Sequence, residues 1–268
     1  MKCKLQLLVI LLVLVYSCSV PTKVSNVVPA DNPPKYPKNI VLIIGDGMGL
    51  SQISAGIYES KRKNLNLEGM NSIGLQKTHC KDKLITDSAA GATAMARGIK
   101  ANYNTFGTTK KQKAPPSILE ELDALGWTTG IAVTSSITHA TPAAFVTYQL
   151  FRSYHEQIAG DFLLTEVDYL VGGGRTYFKN RHVDDRNLLD EFVEKGYKIA
   201  NIEDESIEAI NLNGVSKLAY FTADDEPKTR KAGRTYLIPA VRRGLKFLSD
   251  RSSNKGFFFL IEGSQIDW

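Results

Sequence analysis

The 268-residue sequence predicts an α/β fold, a doubly wound and mostly parallel sheet with helices on both faces, and three observations carry that expectation. Continuous apolar runs such as Asn39-Ile-Val-Leu-Ile-Ile44 and Phe257-Phe-Phe-Leu-Ile261 have the pattern of strands covered on both faces. Segments with helical periodicity lie between several of these runs, and that alternation is the mark of βα units. The strands also end abruptly in glycine, hydroxyl or acidic residues, where ligands collect in folds of this class.

Before the first strand the chain reads as an export and tethering device. Lys2 and Lys4 precede an apolar run from Leu5 to Val15, followed by Tyr16-Ser17-Cys18. The run is too short to cross a bilayer comfortably, and the small Ser17 marks a cleavage position, so residues 1–17 are read as a signal peptide. A cysteine directly after a small residue resembles the lipobox of bacterial lipoproteins. That resemblance implies a lipidated Cys18 as the new N-terminus and a periplasmic or cell-surface location; plain secretion is the alternative. Residues 18–38 contain Pro21, Pro29, Pro33, Pro34 and Pro37 and read as an extended tether holding residues 39–268, a single catalytic domain, off the membrane.

Further strands are expected at Ser72 to Gln76, Thr128 to Thr134, Tyr169 to Val171, Lys198 to Ala200 and Lys217 to Phe221. Helices are expected at Ser117 to Leu125, Asn187 to Lys195 and Tyr236 to Ser249. Strand order does not follow from such a pattern. The formal net charge of +5 falls to +3 without Lys2 and Lys4, too weak and scattered for a nucleic-acid partner. With Cys3 in the signal segment and Cys18 lipidated, Cys80 stands alone, which excludes a disulfide framework and favours a buried thiol over a reactive one.

The stretch Thr86-Asp-Ser-Ala-Ala-Gly-Ala-Thr-Ala94 places one hydroxyl among very small side chains. Ser88 at the start of a helix would meet unpaired backbone N–H groups that favour an anion, which makes it the candidate nucleophile; an ordinary N-cap serine is the alternative. Asp46 lies between glycines in Gly45-Asp46-Gly47-Met48-Gly49. A carboxylate there would repel a pyrophosphate, so a metal ligand is a better reading than a dinucleotide turn, with a solvated turn aspartate as the other possibility. Glu262 and Asp267 follow the last strand, and two carboxylates beside a buried strand are costly unless paired or bound to a cation. The loop Thr138-His139-Ala140-Thr141-Pro142 adds an imidazole and a hydroxyl. Oxygen donors suit magnesium, and Asp with His suits zinc. Ser88 has no histidine–aspartate pair spaced like a triad, so metal activation of the hydroxyl is the consistent chemistry.

Taken in order, Gly45–Gly49, Asp87-Ser88-Ala89-Ala90-Gly91-Ala92-Thr93-Ala94, His139-Ala140-Thr141-Pro142-Ala143, Gly172-Gly173-Gly174-Arg175 and Glu262-Gly263-Ser264-Gln265-Ile266-Asp267 resemble the motifs of the alkaline phosphatase family over about Lys38 to Trp268. The resemblance implies that Ser88 forms a phosphoserine intermediate and that Arg152 grips two phosphate oxygens. It implies Asp46 as a carboxylate bridging zinc and magnesium, Thr141 and Glu262 as magnesium ligands, and Asp267 as a zinc ligand. His139 corresponds to a position near the magnesium that is aspartate in some members and histidine in others. The cofactors implied are two zinc ions and magnesium, the substrates phosphate monoesters, and a homodimer is common in the family.

The sequence departs from the family in its zinc ligands. A histidine soon after Asp267, a later Asp-His pair and a last histidine have no counterparts before Trp268, and His79, His155 and His182 lie outside the matching motifs. The expectation is therefore the N-terminal part of a longer, C-terminally incomplete domain, able to hold magnesium but not a zinc pair, and inactive or nearly so by itself. A phosphodiesterase of the same superfamily, or a non-catalytic lipoprotein binding phosphate or metal, are the competing readings. A sulfatase is disfavoured because no Cys-x-Pro-x-Arg setting occurs.

Overall fold

The computed structural model describes residues 36–268, so the expected signal peptide, Cys18 and nearly all of the tether lie outside the described residues. A six-stranded, wholly parallel sheet forms in the order β1-β6-β2-β3-β5-β4. Its strands are β1 (Ile40–Gly45), β2 (Thr128–Ser136), β3 (Tyr169–Gly173), β4 (Tyr197–Asn201), β5 (Lys217–Phe221) and β6 (Phe257–Gly263). Residues 37–268 form one compact unit.

Eight helices accompany the sheet among the described residues: α1 (Leu50–Glu59), α2 (Ser88–Arg97), α3 (Ile118–Ala124), α4 (Ala140–Ala143), α5 (His155–Asp161), α6 (Thr176–Lys179), α7 (Leu188–Glu194) and α8 (Leu237–Arg251). The three predicted helices appear as α3, α7 and α8. Ser117 closes a capping box with Glu120 ahead of α3, and the Asn187 side chain accepts from Leu189 N ahead of α7.

The sheet is covered on both faces. On one, Ala92 and Ala96 of α2, Leu119 of α3, Ile158 of α5 and Phe192 of α7 join a buried cluster with Ile131, Leu170 and Leu260. On the other, Phe247 and Leu248 of α8 pack with Tyr169, Val171 and Phe259. Gly244 lets α8 approach this closely, because a Cβ there would lie 2.7 Å from Phe259 Cζ and 2.8 Å from Tyr169 Cε1. Among the described residues no helix is long and apolar enough to cross a membrane.

Two expectations need correction. Ser72 to Gln76 forms no strand; Ile73 is 94% exposed, and without a neighbouring ladder for its N–H and C=O groups this apolar stretch stays irregular. β1 is not covered on both faces: it pairs only with β6 among the described residues and leaves Val41 and Ile43 exposed. An apolar run reports hydrophobicity and does not distinguish a central strand from an edge. Cys80 is buried as expected, its Sγ 3.4 Å from Asp82 Oδ1.

Candidate active site at the carboxyl edge of the sheet

Strand register brings the acidic residues together. Ile44 of β1 and Val133 of β2 both pair with Glu262 of β6, Gly45 pairs with Gly263, and Asp46 N donates to Gly263 O at 3.3 Å. Asp46 therefore leaves the sheet beside Glu262, and β2 runs on into the turn that carries His139 and Thr141 at α4. Gly47 is in the left-handed region at φ +72, where a Cβ would lie 2.6 Å from the Asp267 Cα, so the glycine admits the close crossing of the turns that carry Asp46 and Asp267.

Ser88 is the first residue of α2, and the cap is its neighbour. The Asp87 carboxylate accepts from Ala89 N at 3.0 Å and Ala90 N at 3.2 Å. The N-cap reading of the serine does not hold: its hydroxyl is not spent on capping and instead donates to Asp46 Oδ2 at 2.8 Å. Asp87 was not singled out from the sequence, although an aspartate immediately before a serine and an alanine-rich helix is an N-cap signature.

Arg152 arrives from a distant loop and is held on both tips. Nη1 donates to Asp87 Oδ2 and Nη2 to His139 Nε2, each at 3.1 Å. Arg152 N also donates to Asn104 O, while Asn104 N donates to Asp87 Oδ1, so the arginine loop and the capping aspartate share one framework. Because arginine only donates, His139 Nε2 accepts and the proton of the neutral ring belongs on Nδ1, which is buried without a partner. Burial, reinforced by the positive charge of Arg152, lowers the His139 pKa to about 4.

Glu262 is fully buried, and burial pushes its pKa up to about 7; nearby Asp46 adds to the rise, while the hydroxyls of Thr141 and Ser264 oppose it. Its Oε1 has no hydrogen-bond partner. Burial also raises the pKa of Asp46, with the charge of Asp267 acting in the same direction and the Ser88 hydrogen bond against it. Asp46, Ser88, Thr141, Arg152 and Asp267 line one cleft of about 700 Å³, whose outer wall includes Lys77, His79, Lys100 and Tyr103. His139 and Glu262 stand behind it, and the Trp268 ring lies 6.3 Å from the His139 ring.

Carboxylates placed so that Asp267 raises the pKa of Asp46 and Asp46 that of Glu262, a buried hydroxyl and an orphaned carboxylate oxygen fit a hard divalent cation such as magnesium. The fit to zinc is incomplete: His139 Nε2 is engaged by Arg152, and among the described residues no group of three or more His, Cys, Asp or Glu is gathered for a metal. His155 and His182 have ordinary partners, Thr138 Oγ1 and Glu156 Oε1 respectively.

A doubly wound α/β domain thus presents a helix-borne serine, a pinned arginine and the carboxylates of Asp46 and Asp267 in one cleft at the carboxyl edge of its sheet. The chain belongs to the alkaline phosphatase family, whose model matches residues 37–268. It is 35% identical over 249 residues to alkaline phosphatase 4 of Bacillus subtilis, covering 86% of this chain and 52% of that protein. The Escherichia coli alkaline phosphatase is 28% identical over 296 residues, with 87% and 61% covered. The alkaline phosphatase of the Antarctic bacterium TAB5 superposes with a TM-score of 0.77 at 37% identity, covering 87% of this chain and 66% of that one. Two TAB5 variants, with one histidine replaced by aspartate or glutamate, hold magnesium in the M3 site. The chain spans about half the length of the curated relatives it matches.

Proposed function

We propose that this chain carries the serine, the phosphate-gripping arginine and the magnesium-holding residues of a metal-dependent phosphomonoester hydrolase that works through a phosphoserine intermediate. The observation that supports it best is the division of labour at α2: Asp87 takes the cap, and Ser88 is left with a free hydroxyl on Asp46 beside a fixed guanidinium.

Arg152 binds two oxygens of a phosphoryl group with its planar fork, and the backbone N–H groups at the start of α2 add to the attraction. Asp46 Oδ2 orients the Ser88 hydroxyl and holds its proton. Oxygen of Ser88 then displaces the alcohol from phosphorus, and water displaces Ser88 in a second step that releases phosphate. Asp46, Thr141, Glu262 and Asp267 are the residues that would hold metal, His139 standing behind them. A bound divalent cation supplies charge stabilisation for the phosphoryl oxygens and lowers the pKa of the serine hydroxyl.

The export signal and the Cys18 anchor fit a periplasmic or surface enzyme that scavenges phosphate from external esters; a homodimer is part of this reading. In this reading Asp46, Thr141 and Glu262 hold magnesium, and phosphate binding should persist where turnover is low.

Isothermal titration with inorganic phosphate, in the presence of magnesium, tests the reading on residues 19–268. Binding that weakens at least ~10-fold in Arg152→Ala supports it. With zinc and magnesium supplied, acid-quenched protein should carry phosphate on the Ser88 peptide, and a monoester should be cleaved in preference to a diester. Absence of phosphate binding, or monoester turnover indifferent to Ser88→Ala, would sink it.

A further inference from the structure

Beside the influence of the Thr141 hydroxyl, Glu262 has a close hydrogen bond at one oxygen only. Its Oε2 accepts from Ser264 Oγ at 2.7 Å, whereas Oε1 is buried and has no partner. Ser264 is itself fully buried and is fixed by β2 at two points: its N–H donates to Thr134 Oγ1 at 2.8 Å, and its hydroxyl lies 3.1 Å from Ser135 Oγ. A serine hydroxyl has one proton to give. The Ser264 proton is directed chiefly at Glu262, the shorter contact and a carboxylate, with Ser135 Oγ as a second, weaker acceptor, and Ser135 gives its own proton to Ser136 O at 3.2 Å.

A buried carboxylate without such a contact is free to turn about its side-chain torsions and to present either oxygen. The hydroxyls of Thr134 and Ser135 remove that freedom indirectly, because they locate Ser264 and Ser264 occupies Oε2. Both belong to β2, the strand that leads to α4 and Thr141, so the clamp ties the turn directly after β6 to that strand. Groups behind metal ligands act in this way, orienting the donor atom without touching the ion.

We propose that Ser264 is a positioning residue: anchored on β2 by Thr134 and Ser135, it fixes Glu262 Oε2 so that Oε1 is the oxygen offered to a divalent cation. The proposal rests on the reading of Asp46, Thr141 and Glu262 as magnesium-holding residues.

Calorimetric titration of the chain with magnesium chloride tests it, with melting measured in the absence of magnesium. Ser264→Ala should weaken magnesium binding by about 10-fold or more, and Ser135→Ala by about 3-fold, both with cooperative melting retained. Glu262→Gln should abolish the binding. Equal magnesium affinity in the wild type and a folded Ser264→Ala would overturn the clamp and leave the metal reading standing. No magnesium uptake by the wild type, or undiminished uptake by Glu262→Gln, would overturn the metal reading and the clamp with it. Should Ser264→Ala not fold, Ser135→Ala decides, and an unchanged affinity there counts against the proposal.

Discussion

Asp87 grips Arg152 with the carboxylate that caps the helix of Ser88: Oδ2 accepts from Arg152 Nη1 at 3.1 Å and from Ala89 N at 3.0 Å. Sequence neighbours thus divide two duties, Ser88 facing the cleft while Asp87 fixes both the helix start and the guanidinium. Asp87→Asn preserves a capping oxygen but loses the ionic hold on Arg152. Its melting temperature should stay close to wild type, while phosphate affinity falls about 5-fold as the freed arginine loses its preorganisation. Titration calorimetry with phosphate checks this, and an unchanged affinity would show that Asp87 serves the helix alone.

Gly47→Ala should be among the most damaging small substitutions. The added methyl meets the Asp267 backbone at 2.6 Å in a left-handed conformation that alanine resists. A loss of about 2 kcal/mol or more in urea unfolding is expected, together with weaker metal binding.

Magnesium should stabilise the folded chain through the oxygen donors at the sheet edge. At a hundredfold excess over its dissociation constant the gain is about 2.7 kcal/mol, visible as a rise in melting temperature that EDTA reverses. Glu262→Gln should melt without regard to magnesium; a magnesium-dependent rise in that variant would place the cation elsewhere.

Asp168 gives a pH dependence away from the cleft. Burial pushes its pKa from 3.8 up to about 6, Asp123 and Glu166 add to the rise, and the Thr129 N–H at 2.8 Å and Lys217 oppose it. The folded state holds this proton more tightly than the unfolded chain, so the contribution is complete below about pH 4 and lost as pH climbs to about 6. The loss is about 2 kcal/mol after solvent screening. Asp168→Asn, whose amide oxygen still accepts from Thr129, should flatten that part of the stability–pH curve.

Arg97 offers a packing test. Its buried guanidinium donates to Ala144 O at 3.0 Å, Thr147 O at 2.9 Å and Pro115 O, and pairs with Glu120 at 3.2 Å. Arg97→Ala leaves several acceptors unsatisfied and should cost about 3 kcal/mol in chemical denaturation.

The local signals in the sequence were sufficient for the strands from Thr128 onward, for the helices expected from Ser117 and Asn187, and for the small-residue helix at Ser88. Each depends on period, composition or a neighbour within a few residues. The motifs carrying Asp46, Ser88 and Thr141 were legible for the same reason, since each follows the end of a strand or lies at the start of a helix, whereas Glu262, expected after the last strand, lies within β6 because the pairing with β1 and β2 runs on to it. Only the tertiary structure decided that β1 is an edge and that Ser72 to Gln76 forms no strand among the described residues, and that Arg152 reaches both Asp87 and His139. It likewise decided which oxygen of Glu262 is held by Ser264. Pairing, edges and the satisfaction of a buried atom depend on groups brought together across the sheet from distant parts of the chain, and no local pattern encodes which of them will meet.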